Sequence, residues 1–177
     1  LTTNLTSFFR ENHHFEYLKD VMVPELKQTN ADSKKIRIWS AGCSKGMESY
    51  SIAMTMVPFF CVGQWDLKIL ATDLDSNVLE IGRNGIYSAQ DVEELEESKQ
   101  KKYFERSREK KEYRVKLQYR EHVYFKYLNL LSYWPMKHEY DIIFCRNVVI
   151  YFDYKTKCEL FEKFANLLKP NGLLVIG

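Results

Sequence analysis

The sequence predicts an α/β domain in which helices cover both faces of a mostly parallel β-sheet. Short β-rich segments alternate along the chain with segments of helical periodicity, and this alternation is typical of a parallel sheet. A charge-rich stretch with alternating segments of its own interrupts the pattern and predicts a small antiparallel β insert. The strands of the main sheet are expected at residues 35–42, 67–72, 141–145 and 172–176.

Local signals set the expected helices. Apolar residues recur at helical spacing between residues 8 and 22, where Thr6 or Ser7 is a candidate N-cap. Further helices are expected over residues 47–57 and 154–168, the second of which leads to a turn at residues 170–172. Between them, a helix begins after Asp75 or Ser76 and ends near Gly82 or Gly85.

These elements suggest an organisation with two parts. Residues 1–30 form an N-terminal helical segment, and residues 31–177 form the main domain, with the insert at about residues 86–128. The alternating segment that starts at Val123 is assigned to the insert as an antiparallel strand. The chain stops within an expected strand, so we expect further strands beyond residue 177.

Composition excludes several classes of function. The net charge of +2 does not argue for a nucleic-acid partner or a membrane surface. The four cysteines form no Cys-x-x-Cys pair, so we expect no metal site and no disulfides, as in a cytoplasmic protein. No apolar run reaches membrane-spanning length and no signal peptide is visible, so no membrane insertion is expected.

Several polar or glycine-containing loops follow the predicted strands, where parallel sheets bind ligands. The first loop, Gly42–Gly46, precedes a helix and suits either close approach of a ligand or an ordinary tight turn. Asp73 ends the second strand, where a carboxylate can accept both ribose hydroxyls of a nucleoside or can cap a helix. The loop lacks the three glycines of a dinucleotide site, which favours a cofactor without pyrophosphate, such as S-adenosylmethionine.

Seven segments in this order resemble the catalytic domain of the chemotaxis receptor methyltransferases, the CheR family. They are Thr3–Arg10, His14–Phe15, Ser40–Gly46, Ser49–Met54, Ala71–Asp75, Asn129–Leu131 and Phe144–Asp153. The segments Phe-Phe-Arg and Cys-Arg-Asn-Val-Val-Ile-Tyr-Phe are the most specific of the set. The resemblance covers nearly the whole chain and implies a class I, Rossmann-like fold that binds S-adenosylmethionine.

The resemblance also implies the site residues. Asp73 would hold the ribose, Asn129 and Leu130 the adenine, Asn147 would lie near the methionine part, and Tyr151 would face the reacting methyl group. Arg10 and Tyr151 are the expected catalytic residues. The expected cofactor-binding set is Asn4, Thr6, Arg10, Gly42, Glu48, Asp73, Asn129, Leu130, Arg146 and Asn147.

The implied reaction transfers a methyl group to glutamate side chains in the cytoplasmic domain of a chemoreceptor. A glutamate carboxylate is already ionised near neutral pH, so this reaction requires no general base. The enzyme must align the nucleophile and exclude water, and a guanidinium such as that of Arg10 binds carboxylates in a fixed geometry. Methylation of another acceptor on the same scaffold is an alternative.

Two departures from the family pattern affect these expectations. The family usually has Gly-Glu-Glu-Pro-Tyr where residues 46–50 of this chain are Gly-Met-Glu-Ser-Tyr. Met47 therefore replaces the first acid of the family pattern. A lost acid at that position would favour a degenerate domain that binds the cofactor as a sensor. The insert segment 103–113 has many charges and no glycine, so we expect a receptor partner that is met without a tethered C-terminal peptide.

Overall fold

The computed structural model describes residues 6–60, 64–107, 109 and 111–177. The helices are α1 (His13–Tyr17), α2 (Val23–Thr29), α3 (Met47–Met56), α4 (Ser76–Asn84), α5 (Ala89–Val92), α6 (Glu97–Tyr103), α7 (Leu117–Arg120) and α8 (Tyr154–Leu167), with a π-helical segment Leu18–Met22 and 3-10 turns Val57–Phe59 and Val149–Tyr151. The strands are β1 (Lys35–Ala41), β2 (Asp66–Asp73), β3 (Ile86–Ser88), β4 (Phe104–Ser107), β5 (Glu112–Val115), β6 (Val123–Tyr127), β7 (Tyr140–Cys145) and β8 (Leu168–Ile176).

Five strands form the main sheet in the order β6-β2-β1-β7-β8, and every neighbouring pair is parallel. The predicted parallel sheet is therefore confirmed. The chain winds outward from β1 through β2 to β6 and then returns to β7 on the other side of β1. Strand order reverses at β1, and a crevice beyond the carboxyl ends of the strands is expected at such a point.

Helices cover both faces of this sheet, as predicted. Alternate side chains of a strand point to opposite faces, and β1 and β7 accordingly divide the core into two layers. Ile38 and Phe144 pack with apolar residues of α1, α2 and α3 on one face. Trp39 and Ile143 pack with apolar residues of α8 on the other. Among the described residues, no helix is both long enough and apolar enough to cross a bilayer.

The insert is smaller than predicted. Among the described residues, its antiparallel sheet consists of β3, β5 and β4, in that order. The assignment of Val123–Tyr127 to the insert is wrong, because this segment is β6 and pairs in parallel with β2. An edge strand with one exposed face alternates between apolar and polar residues just as an antiparallel strand does, so periodicity alone did not separate the two cases.

Two local expectations are also corrected. Residues 6–12 are not helical, because Phe9 and Glu11 adopt left-handed φ angles of 55°, which an α-helix excludes; the first helix begins at His13. The turn expected at residues 170–172 is an irregularity within β8, whose register shifts between Tyr140 and Ile142 of β7. Irregular pairing of this kind accommodates proline in a strand at a sheet edge.

Candidate functional site

A cavity of about 430 Å³ opens beyond the carboxyl ends of β1, β2, β6 and β7. This volume lies within the usual range for a site that takes a small molecule or cofactor. The cavity is lined by Thr6, Ser7, Arg10, Gly42, Cys43, Ser44, Glu48, Asp73, Leu74, Leu128, Asn129, Leu130, Leu131, Arg146, Asn147, Val148, Ile150, Tyr151 and Phe152. Every residue of the predicted site is among them except Asn4, which lies outside the described residues.

The first loop approaches the cavity without a side chain at Gly42. This residue has a φ of +76°, and a Cβ there would lie 2.3 Å from Cγ2 of Val148, so both conformation and space require glycine. The N–H groups of Gly42 and Cys43 both donate to the carbonyl of Thr72, each at 2.8 Å, which joins the loop to the end of β2. The backbone of this loop is thus fixed at the wall of the cavity.

Asp73 is held in place by the backbone on both sides of it. Its Oδ2 accepts a hydrogen bond from the N–H of Ser44 at 2.8 Å, and its Oδ1 accepts one from the N–H of Asp75 at 3.0 Å. A carboxylate has about four acceptor sites, so capacity remains for two hydroxyl groups of a ligand. The helix-capping alternative belongs to Asp75, whose side chain accepts from the N–H of Asn77.

Sequence reasoning missed Ser44. Its hydroxyl oxygen is buried beside the cavity and has no hydrogen-bond partner among the described residues. Buried hydroxyl groups almost always have a partner, so a polar group of a ligand would complete this one. A serine between two glycines gives no such signal in the sequence, because the direction of its side chain depends on the unusual φ of 48°.

A buried ionic network joins the N-terminal loop to the sheet. The guanidinium of Arg146, whose side chain is 3% exposed, contacts Oε2 of Glu48 at 3.3 Å and Oε2 of Glu11 at 3.0 Å. It also donates to the carbonyl of Arg10 at 2.7 Å. Glu48 in turn accepts a hydrogen bond from Ser40 at 2.7 Å. Arg146 therefore holds the loop that carries Arg10 against the cavity.

The network affects its two acids in opposite directions. Burial raises the pKa of Glu48, and the hydrogen bonds from Ser40 and Arg146 offset this only in part. Slight burial also acts to raise the pKa of Glu11, but the hydrogen bond and charge of Arg146 outweigh it and lower that pKa. The negative charge opposite Arg146 is thus held most firmly on Glu11.

The two expected catalytic residues lie at the mouth of the cavity. Arg10 is exposed and stands between Phe9 and Glu11, whose left-handed backbone turns the loop sharply. The N–H of Phe9 donates to the hydroxyl of Ser51 at 2.9 Å, which fixes the turn to α3. Tyr151 is 60% exposed and follows the Asn147 loop, so its side chain is not part of the core.

On the opposite side of the cavity, a tight turn follows β6. The side chain of Asn129 accepts a hydrogen bond from the N–H of Leu131 at 2.9 Å. Leu128 and Leu130 are buried and give this wall an apolar surface. An apolar wall with a fixed backbone edge suits a planar aromatic ring.

Glu11 also lies beside two histidines. Ligand atoms of Glu11, His13 and His14 lie within 4.8 Å of one another, and Nδ1 of His14 is 3.6 Å from Oε2 of Glu11. The turn at Glu11, which has a left-handed φ of 55°, brings this carboxylate beside the histidines. The guanidinium of Arg146 on the same carboxylate opposes a second cation there.

Met47, the departure that favoured a sensor domain, points away from the cavity. Its side chain is 1% exposed within the core, whereas Glu48 lines the cavity. Adjacent residues of a helix diverge by about 100°, so only one of the two can face the site. The missing acid at position 47 therefore removes no group from the cavity.

We expect Met47→Glu to leave affinity for S-adenosylhomocysteine, the product of the expected cofactor, unimproved and to lower the free energy of unfolding by about 3–5 kcal/mol, because it buries a carboxylate without a partner. Urea unfolding and calorimetry measure the two quantities. Tighter binding in a stable variant would show that position 47 faces the ligand after all. Met47→Leu is the matched control and should leave both quantities nearly unchanged.

The chain is similar to known proteins over nearly its whole length. Residues 4–177 match the family model described as "CheR methyltransferase, SAM binding domain". Over the whole chain, sequence identity is 43% to a probable chemotaxis protein methyltransferase of Rhizobium etli, and 42% to chemotaxis protein methyltransferases of Borreliella burgdorferi and Escherichia coli. The chain spans 67%, 64% and 60% of the lengths of these three relatives.

Solved methyltransferases share the fold at low sequence identity. PKMT2 from Rickettsia typhi in complex with AdoHcy superposes with a TM-score of 0.50 at 19% identity, over 81% of this chain and 21% of that one. The glycopeptide N-methyltransferase MtfA complexed with sinefungin gives 0.51 at 11% identity, over 89% and 49%. The fold is that of class I methyltransferases, and the cofactor is S-adenosylmethionine. The family model matches nearly the whole of this chain, and sequence identity to the three chemotaxis methyltransferases is 42–43%. This chain therefore belongs to the CheR methyltransferase family.

Proposed function

We propose that the protein transfers a methyl group from S-adenosylmethionine to glutamate side chains in the cytoplasmic domain of a chemoreceptor. The observation that carries this proposal is that one cavity is lined both by Asp73, which can bind the cofactor, and by the exposed Arg10, which can bind an acceptor carboxylate. The relatives of this chain are chemotaxis methyltransferases. The enzyme would act in the cytoplasm.

The residues at the cavity fit S-adenosylmethionine. Asp73 offers acceptor capacity for the ribose, and the turn at Asn129 and Leu130 offers an apolar wall for the adenine. Gly42 brings the loop backbone to the wall of the cavity, and the hydroxyl of Ser44, which has no partner among the described residues, points to a polar ligand group. We assign the remaining members of the predicted set to the same site, with Arg10 on the side of the acceptor; they are Asn4, Thr6, Arg10, Glu48, Arg146 and Asn147.

When bound, the cofactor supplies an electrophilic methyl group on a sulfonium. The acceptor carboxylate would take this methyl group as its bond to sulfur breaks and S-adenosylhomocysteine is released, so the task of the protein would be to orient the acceptor and exclude water. Arg10 would orient the carboxylate from the rim, and Tyr151 would stand over the reacting centre. Arg146 keeps Arg10 in place through its backbone carbonyl, and the protein need not move a proton at any step.

We also propose that the protein meets its receptor directly, without a tethered peptide. In the sequence, segment 103–113 of the insert contains no glycine and carries many charges. The excess of basic residues in the insert would speed encounter with an acidic surface, and this effect should weaken as salt is added.

One assay tests the function. With labelled S-adenosylmethionine and membranes rich in chemoreceptors, we expect base-labile label on receptor glutamates, as carboxyl methyl esters give. Asp73→Ala should weaken S-adenosylhomocysteine binding by at least about tenfold, since it removes charge-assisted hydrogen bonds, and should lower the label accordingly.

The controls separate the alternatives. Label on another class of acceptor would replace the receptor proposal, and tight cofactor binding without any transfer would favour a sensor. Free peptide copied from a receptor's C-terminal end should not bind the insert; micromolar binding would contradict direct encounter.

A further inference from the structure

Lys163 of α8 reaches across to the turn that forms the wall of the cavity beside Leu130. Its ammonium group donates to the carbonyl of Ser132 at 2.7 Å and to the carbonyl of Leu130 at 3.2 Å. The same ammonium lies 4.0 Å from the centre of the Trp134 ring, within the range of a cation–π contact. The side chain is thus held by three separate contacts although it is only half-buried.

Trp134 strengthens the same point of the turn. Its indole N–H donates to the carbonyl of Leu130 at 3.1 Å, so two donors converge on one oxygen. Trp134 is 7% exposed and packs edge-on against Trp39 and beside Phe164, which fixes the ring in the second layer of the core. The backbone of Leu130 is therefore tied to α8 and to the rigid core beneath the sheet.

The opposite side of the turn faces the cavity. Leu130 is 8% exposed and lines the cavity, as do Asn129 and Leu131. The internal hydrogen bond from the N–H of Leu131 to Asn129 makes the turn stiff, so a displacement of the Leu130 carbonyl would move the whole wall. Within the part of the chain that the structure describes, the ammonium group of Lys163 contacts Leu130, Ser132 and Trp134, all of which lie away from the proposed catalytic residues in the sequence.

We propose that Lys163 is a positioning residue, which sets the adenine-binding wall of the cofactor cavity by holding the carbonyls of Leu130 and Ser132. The inference rests on the proposed assignment of Asn129 and Leu130 to the adenine. Burial lowers the pKa of Lys163, in keeping with an ammonium group withdrawn from water to contact the protein. Lys163 would act on the cofactor only through the turn.

The test uses Lys163→Met in the full-length protein, because methionine keeps the apolar stem and removes the three donors. We expect S-adenosylhomocysteine affinity to fall roughly five- to tenfold, with a matching rise in KM for S-adenosylmethionine and kcat within about twofold, since the cofactor is bound less tightly to the same extent in the ground state and in the transition state. The indole N–H resonance of Trp134 should shift in the variant, and in the unaltered protein it should respond to the ligand.

Control variants separate positioning from general stability. Lys155→Met on the same helix, at a side chain that is 87% exposed, should leave affinity and KM unchanged. Lys163→Arg should restore part of the affinity because it keeps a positive charge and hydrogen-bond donors, although a guanidinium is larger than an ammonium group. If Lys163→Met folds poorly, Trp134→Phe serves as the substitute test. This variant removes the second donor to the Leu130 carbonyl and should also weaken cofactor binding.

A folded Lys163→Met variant with unchanged affinity and KM would overturn the proposal, even if its melting temperature fell. Equal effects of Lys155→Met would overturn it as well. The affinity measurement does not require a receptor. An unaltered protein that binds S-adenosylhomocysteine but methylates no receptor would contradict the proposed function. The effect of Lys163→Met on affinity would still decide the role of Lys163. Absence of cofactor binding in the unaltered protein would overturn both.

Discussion

Replacement of Arg146 by methionine is expected to lower the free energy of unfolding by about 3–5 kcal/mol, because it leaves a buried carboxylate without its partner. Glu48, with 14% of its side chain exposed, would retain only the hydrogen bond from Ser40. The carbonyl of Arg10 would lose its donor as well. We therefore also expect S-adenosylhomocysteine affinity to fall by at least about tenfold, since the loop at the cavity loses its anchor.

Urea unfolding followed by circular dichroism measures the first effect, and calorimetry measures the second. A double variant, Arg146→Met with Glu48→Gln, should recover part of the lost stability because no unpaired buried charge remains. Arg146→Lys should be intermediate, since one ammonium cannot reach three acceptors with the geometry of a guanidinium. If Arg146→Met lowers the free energy of unfolding by less than about 1 kcal/mol, the network contributes no more than a solvent-exposed ion pair, and the prediction is wrong.

Arg10→Ala should reduce the rate of methyl transfer by at least about a hundredfold, which corresponds to roughly 2.7 kcal/mol of transition-state stabilisation. The residue is exposed at the mouth of the cavity, where a guanidinium can orient an incoming carboxylate. Cofactor affinity should change by no more than about threefold, because the backbone carbonyl of residue 10, which Arg146 binds, is still present.

Steady-state kinetics with receptor membranes and calorimetry with S-adenosylhomocysteine separate the two effects. Equal losses in rate and affinity would make Arg10 a cofactor ligand and not an orienting residue. Tyr151→Phe is a useful comparison, because it removes one hydroxyl at the same rim and should cost less than the arginine. Arg10→Lys should recover only part of the rate, since lysine lacks the planar fork.

The placement of Gly42 and Asp73 could be predicted because they stand at the carboxyl ends of two strands that the sequence assigns to a parallel sheet. The carboxyl ends of such strands meet at one edge, so residues far apart in sequence converge there. The boundary of the insert could not be predicted in the same way. The alternation in Val123–Tyr127 fits both an edge strand of the parallel sheet and a strand of an antiparallel one, and only pairing with β2 distinguishes them.

The direction of individual side chains was equally hidden from the sequence. Whether Met47 or Glu48 faces the cavity depends on how α3 is rotated against the sheet. That rotation is set by packing of the whole apolar surface of the helix, and local periodicity is uninformative because α3 is buried on nearly all sides.

By itself, the sequence determined the alternation of strands and helices in the main sheet apart from β6, the edge of the sheet that carries the cavity and several of the loop residues that reach it. Buried parallel strands require continuous apolar runs, and the residues that end those runs are visible in the chain. Only the tertiary structure decided how the charged groups pair. Arg146 and Glu48 are separated by 98 residues, and Lys163 meets the turn at Leu130 from a helix 33 residues later. Contacts at such separations depend on the packing of complete elements, which no local pattern records.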